Sequence, residues 1–477
     1  MPDPAPDRSA RVAILGGGIT GLAAALRLQE AGVDWRLFEA TPRLGGVLET
    51  VEHNGYLVER SADNFLTRDP WATDLCERVG LTEQLLPTDP TRRRALVVSR
   101  GKIERVPEGF VLIAPQRAWP VLASPILSLA GKARLACEAF VPTSRDGADE
   151  SVAAFARRRL GREAFQRLVQ PLVAGIYTAD PERLSMAATM PQFVRQEREH
   201  GSLTRAALRR TTPTDRTESG ARYGLFVAPQ GGMQQLVEAV VAKLPQDRLR
   251  TGCAVEAIAR LPTGFWRLTT GADDAALGDF DELIVTLPAP AAGRLLRPLD
   301  EKLGETLTEI EYAGCSVVCL GVEAAQIGRP VAGFGFVVPT VERRRLIAAS
   351  FSSYKFPGRA PEGRTLIRVF IGGALQPELA ELDDDQLTQI ACEELASLVG
   401  LRGAPEFAFT ARWPQRMPQY HVGHLDRVAT IDAAAERLGV ELAGAAYRGV
   451  GVPQCVHSGE QAAERILTRL AVASPQS

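Results

Sequence analysis

The chain has 477 residues, of which 45% are hydrophobic and 23% charged, and its formal net charge is −2. That length exceeds one ordinary hydrophobic core, so two or three domains are expected, and the near-neutral charge offers no field for nucleic acid. The seven cysteines (Cys76, Cys137, Cys253, Cys315, Cys319, Cys392, Cys455) are scattered with no C-x-x-C pair, which reads as a reduced, cytoplasmic chain.

The opening MPDPAPDRS has no apolar run behind a basic start, so it reads as a short disordered lead and not as a secretory signal. Residues 11–15 form a short apolar strand. Gly16, Gly18 and Gly21 follow at G-x-G-x-x-G spacing, with Gly17, Ile19 and Thr20 between them, and then a helix with Leu22, Ala25, Leu26 and Leu28 placed for packing. Gly16 permits the tight turn, Gly18 admits a pyrophosphate to the backbone, and Gly21 lets helix and strand approach. The helix N-terminus adds its partial positive charge. Residues 33–39 read as the second strand, ending in Glu39, an acid placed for two ribose hydroxyls and hostile to a 2′-phosphate. Ala40, Arg43, Gly45 and Gly46 then form a basic glycine-lined turn. A second phosphate contact so close to the first favours a resident FAD over NAD. The whole motif is similar to the flavin amine oxidase superfamily.

From Phe110 to Pro142 the chain is least polar, yet its longest uncharged run covers only residues 118–131 and holds two prolines. That is short of the roughly 20 residues that span a bilayer. It suits a half-buried pair of helices with Arg117, Lys132 and Arg134 at intervals, either a membrane-surface patch or the roof of an apolar pocket. Residues 225–244 repeat the pattern of strand, Gly231-Gly232 turn and helix. TGCAVEAIARL and GFWRLTT read as paired strands and DELIVTLP as a buried one. Val255 is read as backbone against adenine, with a core valine as the alternative. Near the end, Gly449, Val450, Gly451 and Val452 enter the last helix. A helix start with free N–H groups suits the far end of the same cofactor, roughly 15 Å from the first loop.

Five further stretches resemble oxygen-dependent protoporphyrinogen oxidases, a family that includes forms acting on coproporphyrinogen: VAPQGGMQQLVEAV, QPLVAGIYTADPERLSMAATMPQF, SFSSYKFPGRAPEG, WPQRMPQYHVGHLDRV and AYRGVGVPQCVHSGEQAAERI. The resemblance covers nearly the whole chain. It implies an α/β fold with α+β insertions, built on a Rossmann-type FAD-binding domain in three pieces (1–91, 222–297 and 408–477). A helical, membrane-facing domain (92–221) and a substrate domain (298–407) interrupt it. In that family hydrogens leave the porphyrinogen macrocycle in successive two-electron steps, each pair passing through FAD to molecular oxygen.

The same resemblance places Val47, Ser61, Ala62, Asp63, Asn64 and Trp413 at the cofactor, although the family often has Gly-Pro where this chain has Ser61 and Ala62. It puts Gly175, Val337 and Phe351 beside the tetrapyrrole and Arg94 on a propionate. A turn glycine, two core side chains and a solvated arginine run are the plain alternatives. Lys355 and Arg92 to Arg94 are candidates for additional carboxylates. No dedicated acid–base residue is expected, because the cofactor carries the chemistry. His421 and His424 lack a third ligand for a metal, and His424 reads as a structural hydrogen-bonder. A homodimer and contact with the inner face of the membrane are consistent with this reading. Competing functions are an amine oxidase or carotenoid-type desaturase on the same scaffold, or a non-catalytic nucleotide-binding adaptor. The choice between protoporphyrinogen IX and coproporphyrinogen III stays open.

Overall fold

A computed structural model describes residues 10–115, 118–144, 148–209, 225–271 and 275–473. The N-terminal lead, Arg117 and the expected boundary at 221/222 lie outside the described residues.

The first sheet follows from apolar runs buried along their length. Strand β1 (Arg11–Leu15) sits at its centre, flanked by β2 (Asp34–Phe38) and by Glu282–Val285, with Leu249–Arg250 and Glu441–Leu442 outermost. Every pairing is parallel, Val12 to Leu15 facing Glu282 to Val285 on one side and Trp35 to Phe38 on the other. Parallel strands need helical crossovers and cover on both faces. On one face, α1 (Ile19–Glu30) and the last helix (Val452–Ala473) enclose Ile14, Leu22, Leu26, Trp35, Leu236, Val456 and Ile466. On the other, Leu15, Phe38, Trp266, Leu283, Leu303 and Ile431 form a second core.

The last helix runs alongside α1 in the same direction. Gly459 lies against Thr20, where a Cβ would come 2.1 Å from the Thr20 carbonyl oxygen, and farther along Arg27 pairs with Glu464 at 3.4 Å. At ~1.5 Å per residue, Val452 lies about 10 Å before Gly459 along the axis. The last helix therefore starts well beyond the N-terminus of α1, and the two glycine turns are staggered along one groove.

The second sheet has seven strands in the order Phe407–Pro418, Tyr312–Glu323, Arg364–Gly372, Ala348–Phe351, Gly335–Val337, Leu96–Ser99 and Lys102–Arg105. One face is covered by the helix Asp384–Val399. The expected domain limits shift accordingly. Leu96–Ser99 and Lys102–Arg105, inside the stretch read as helical, are sheet strands, and Phe407–Pro418 crosses the 407/408 boundary. The helix Glu301–Thr308, inside the stretch expected to be the substrate domain, puts Leu303 and Leu307 in the nucleotide-sheet core. Apolar density does not reveal which sheet a strand joins; only the hydrogen-bond ladder does.

A helical unit completes the molecule. Its core includes Phe155, Leu160, Leu168 and Met186, together with a fully buried arginine. Arg159 reaches Glu138 at 2.6 Å and Glu197 at 3.4 Å, and donates to the carbonyls of Val141 and Gly201. The segment 110–142 starts as a two-stranded ribbon (Phe110–Val111 with Ala114–Pro115), followed by helices Ala118–Ala123 and Leu129–Ala136. It leaves Trp119, Leu129 and Phe140 largely exposed. No described helix is long and apolar enough to cross a membrane.

Candidate functional site

The groove begins at the turn after β1. Gly16 adopts φ +108° and its N–H donates to the Phe38 carbonyl at 2.8 Å. A Cβ on Gly21 would sit 2.0 Å from the Gly16 carbonyl oxygen, so α1 packs directly on the turn. A Cβ on Gly18 would meet nothing within 4 Å, leaving its backbone bare toward the groove. Glu39, at the end of β2, accepts from Gly17 N–H at 2.7 Å and Thr41 N–H at 2.9 Å. The second glycine pair closes against the first. Gly45 N–H donates to the Gly17 carbonyl at 2.7 Å, and Gly18 and Gly45 form a parallel bridge. Tight packing, bare backbone, a helix start and an acid at the end of β2 fit an extended dinucleotide.

Two expectations change here. Arg43 turns back into its own loop, donating to the carbonyls of Leu44 (3.0 Å), Leu48 (2.8 Å) and Gly46, and pairing with Glu49 at 3.6 Å. Its guanidinium holds the turn's shape. Val255 is not in a strand. It lies ahead of the strand Ala257–Arg260, in a segment held beside Glu39 by Cys253 N–H donating to Glu39 O and Gly252 N–H to Thr41 O, each at 2.9 Å.

At the other end, Gly449 adopts φ +150°, and the Gln454 side chain lies over Gly449 and Gly451. Gln454 also donates to Asp69 at 2.9 Å, which brings the segment after Ser61 to Asn64 against this turn. Ala62 packs on the same core as Val452. That segment is stapled to the second sheet. Asp63 meets Lys355 at 3.1 Å and Arg368 at 3.4 Å, Arg368 donates to the Ser61 carbonyl, and Trp413 Nε1 donates to the Arg60 carbonyl at 2.6 Å. Burial by itself would raise the Asp63 carboxyl; the charges of Lys355 and Arg368 outweigh it and hold it down at about 2. Nearby, burial pushes the Glu59 carboxyl up to about 7 against hydrogen bonds from Thr50 and from Met233 N–H.

The wall beyond the Gly449 turn is set by strand register. Successive residues point to opposite faces, so the row Val337, Ala348, Phe370, Val317 and Ala411 shares one face. That row lies opposite the face covered by Asp384–Val399. Phe370 on it is half-buried. Gly175, in the helix Gln170–Tyr177, closes on this row, since a Cβ there would come 2.9 Å from Val337 Cγ1. Phe351 is on the other face, fully buried among Val318, Ile367 and Val369 and stacked on Tyr354 at 5.1 Å. It is a core residue and not part of the wall, because alternation along Ala348–Phe351 turns it inward.

Lys355 is likewise corrected as a free carboxylate binder, being buried and paired with Asp63. Of the arginine run, Arg92 donates to the Val331 carbonyl and lies over Tyr354 at 4.2 Å, while Arg93 donates to the Thr88 carbonyl at 2.9 Å. Arg94 is exposed. It lines a cleft of about 700 Å³ with Arg105, Glu104, Glu108 and Phe110. Arg94 and Arg105 form no ion pair among the described residues. His424 is fully buried, with Nε2 at 2.8 Å from the Tyr447 carbonyl, and serves as a structural hydrogen-bonder.

A family model described as "Flavin containing amine oxidoreductase" matches residues 19–467. The chain belongs to that family. It is 33% identical to a coproporphyrinogen III oxidase of Bacillus subtilis (strain 168), over 97% of this chain and 99% of that one. It is 30% identical to a chloroplastic protoporphyrinogen oxidase of Nicotiana tabacum, over 95% and 84% respectively. A crystal structure of an Exiguobacterium sp. 255-15 protein superposes with a TM-score of 0.85 at 30% identity, covering 97% of this chain and 99% of that one. This member of the family is thus an FAD-dependent oxidoreductase on the α/β scaffold expected.

In this flavoenzyme, the fold brings Gly16 to Gly21, Glu39, Ala40 and the Gly45, Gly46 and Val47 turn to one end of the groove. Ser61 to Asn64, Trp413 and Gly449 to Val452 gather at the other. Sequence reasoning missed Phe370, because the strand RTLIRVFIG does not alternate apolar with polar residues in a way that would separate its faces. It also missed Arg368 and Tyr420, whose roles depend on partners 307 and 29 residues away. No local signal marks either one.

Proposed function

We propose that this flavoenzyme oxidises a porphyrinogen, coproporphyrinogen III, to the porphyrin with molecular oxygen as final acceptor. The observation that carries the reading is the near full-length match to coproporphyrinogen III and protoporphyrinogen oxidases. The geometry agrees with it. FAD, when bound, supplies the hydride acceptor for each two-electron step. In this reading Gly16 to Gly21 receive its pyrophosphate, Glu39 its ribose, and Gly449 to Val452 its pyrimidine edge, where the helix N-terminus favours negative charge. Val337 and Phe370 offer a flat apolar wall to the macrocycle, and Gly175 lets backbone approach it. Arg94, exposed and without an ion-pair partner among the described residues, is the cation offered to a propionate, and the 33% identity to a coproporphyrinogen III oxidase favours four carboxylates over two. The exposed Trp119, Leu129 and Phe140 suit shallow contact with a membrane surface.

The test is paired oxidation of chemically reduced coproporphyrinogen III and protoporphyrinogen IX in air, following porphyrin fluorescence against a control without enzyme. Faster turnover of coproporphyrinogen III is expected. A preference for protoporphyrinogen IX overturns the four-carboxylate reading alone. If FAD-bound protein accelerates neither, the porphyrinogen reading fails and an amine oxidase or desaturase replaces it.

A further inference from the structure

Tyr420 takes part in none of the contacts expected from the sequence, yet it sits where three parts of the molecule meet. Its ring is 3% exposed. A phenol hydroxyl has one proton to give and lone pairs to receive, and here both functions are used. The hydroxyl donates to the Ala445 carbonyl at 2.5 Å and accepts from the Gly449 N–H at 2.8 Å. One oxygen therefore closes the segment from Ala445 to Gly449, the approach to the last helix. The ring is held in turn, stacked on His424 at 4.0 Å with an interplanar angle of 11°, while His424 Nε2 meets the Tyr447 carbonyl within the same segment. The Tyr420 backbone carbonyl accepts from Ser185 N–H at 2.7 Å, and Leu184 bridges His421. These bonds tie it to the helical unit that carries Gly175.

We propose that Tyr420 is a positioning residue for the flavin: by fixing Gly449 at φ +150° it sets where the N–H groups at the start of the last helix point, and so tunes the bound cofactor. The proposal rests on the reading that this turn holds the pyrimidine edge of FAD. Without the hydroxyl, Gly449 N–H and the Ala445 carbonyl lose their shared partner in a buried setting, where an unmet polar group has a strong drive to rearrange. The turn then relaxes although the helix behind it is intact. A tyrosine that merely filled space would leave the cofactor unaltered when replaced by phenylalanine.

The experiment uses purified Tyr420→Phe holoenzyme, which keeps the ring and its stack on His424. Three readouts are taken: the visible absorption bands of the bound flavin, its midpoint potential by reductive titration, and the temperature at which FAD fluorescence appears. The expected result is shifted bands, an altered potential and FAD release at a lower temperature, with affinity about tenfold weaker. Tyr56→Phe is the control, removing the hydroxyl of a buried tyrosine that donates to Glu406 at 2.6 Å at the edge of the second sheet; wild-type bands and potential are expected. If Tyr420→Phe does not fold, Tyr420→His retains an aromatic ring and an acceptor, and is expected to restore folded holoprotein with shifted bands. Wild-type bands, potential and release temperature in the folded variant overturn the proposal. None of these readouts uses a porphyrinogen, so a wrong substrate reading leaves them standing. Wild-type protein that purifies without FAD instead refutes the underlying placement of the cofactor.

Discussion

Phe351 and Phe370 pose the clearest contrast between single residues, because the same side chain on two adjoining strands has opposite duties. Phe351 is enclosed in the core under the helix Asp384–Val399, so Phe351→Ala is expected to cost about 3–5 kcal/mol of stability. KM per folded molecule should be unchanged. Phe370→Ala removes an aromatic surface from the proposed macrocycle wall and is expected to raise KM about tenfold, the equivalent of ~1.4 kcal/mol of lost contact, with little change in the urea midpoint. Measuring KM and the urea midpoint for both variants checks the assignment; a KM effect at Phe351 alone refutes it. His424 carries a pH effect. Burial lowers its imidazole to about 4 despite the hydrogen bond to Tyr447. Between the ordinary value of 6.5 and that depressed value the unfolded chain takes up a proton that the native site refuses. Its contribution is therefore full above about pH 6.5 and lost as pH falls toward 4, on the order of 3 kcal/mol in all. His424→Gln is expected to flatten that part of the stability curve, as measured by urea unfolding at pH 7 and pH 4.5.

Among elements, the pair formed by α1 and the last helix carries the cofactor argument. Their contact depends on Gly459, whose missing side chain lets Thr20 approach. Gly459→Ala would place a Cβ 2.1 Å from the Thr20 carbonyl oxygen, forcing the helices apart at a cost of about 1–3 kcal/mol. Because that contact sets the stagger of the two glycine turns, FAD occupancy of the purified variant should fall with its thermal midpoint. Unaltered flavin content would show that the two turns do not share one ligand. The turns themselves were legible in the sequence, since glycine spacing and an acid at a strand end are local features. Arg43 shows the complementary case. A guanidinium beside glycines looks like an anion contact until the carbonyls of Leu44, Gly46 and Leu48 are seen to occupy it.

Across the whole molecule, the nucleotide sheet and the seven-stranded sheet are joined through buried charge. Asp63 comes from the loop that follows Ser61, whereas Arg368 comes from a strand of the second sheet and Lys355 from the short helix Ser352–Lys355 beside it. Removing one partner of a buried pair leaves an unpaired charge, and Lys355→Met is expected to cost about 3 kcal/mol. Arg368 remains to limit the loss. The pH dependence runs in the usual direction for a depressed carboxyl: the contribution of Asp63 is present above about 3.8 and disappears as pH falls toward about 2. An acid-unfolding curve of Asp63→Asn should lose that component.

The α/β class, the dinucleotide loop after β1, the acid at the end of β2, the second glycine turn before the last helix and the family resemblance are legible in the residues alone. These are carried by contiguous residues whose backbone demands, positive φ at Gly16 or close approach at Gly21, can be read from spacing. The folded molecule alone shows which strands form which sheet, which phenylalanine faces the wall, and that Lys355 is already paired. It also shows that Tyr420 closes the turn at Gly449. Each of these depends on register or on partners far apart in the chain, and a one-residue change of register moves a side chain from one face of a sheet to the other.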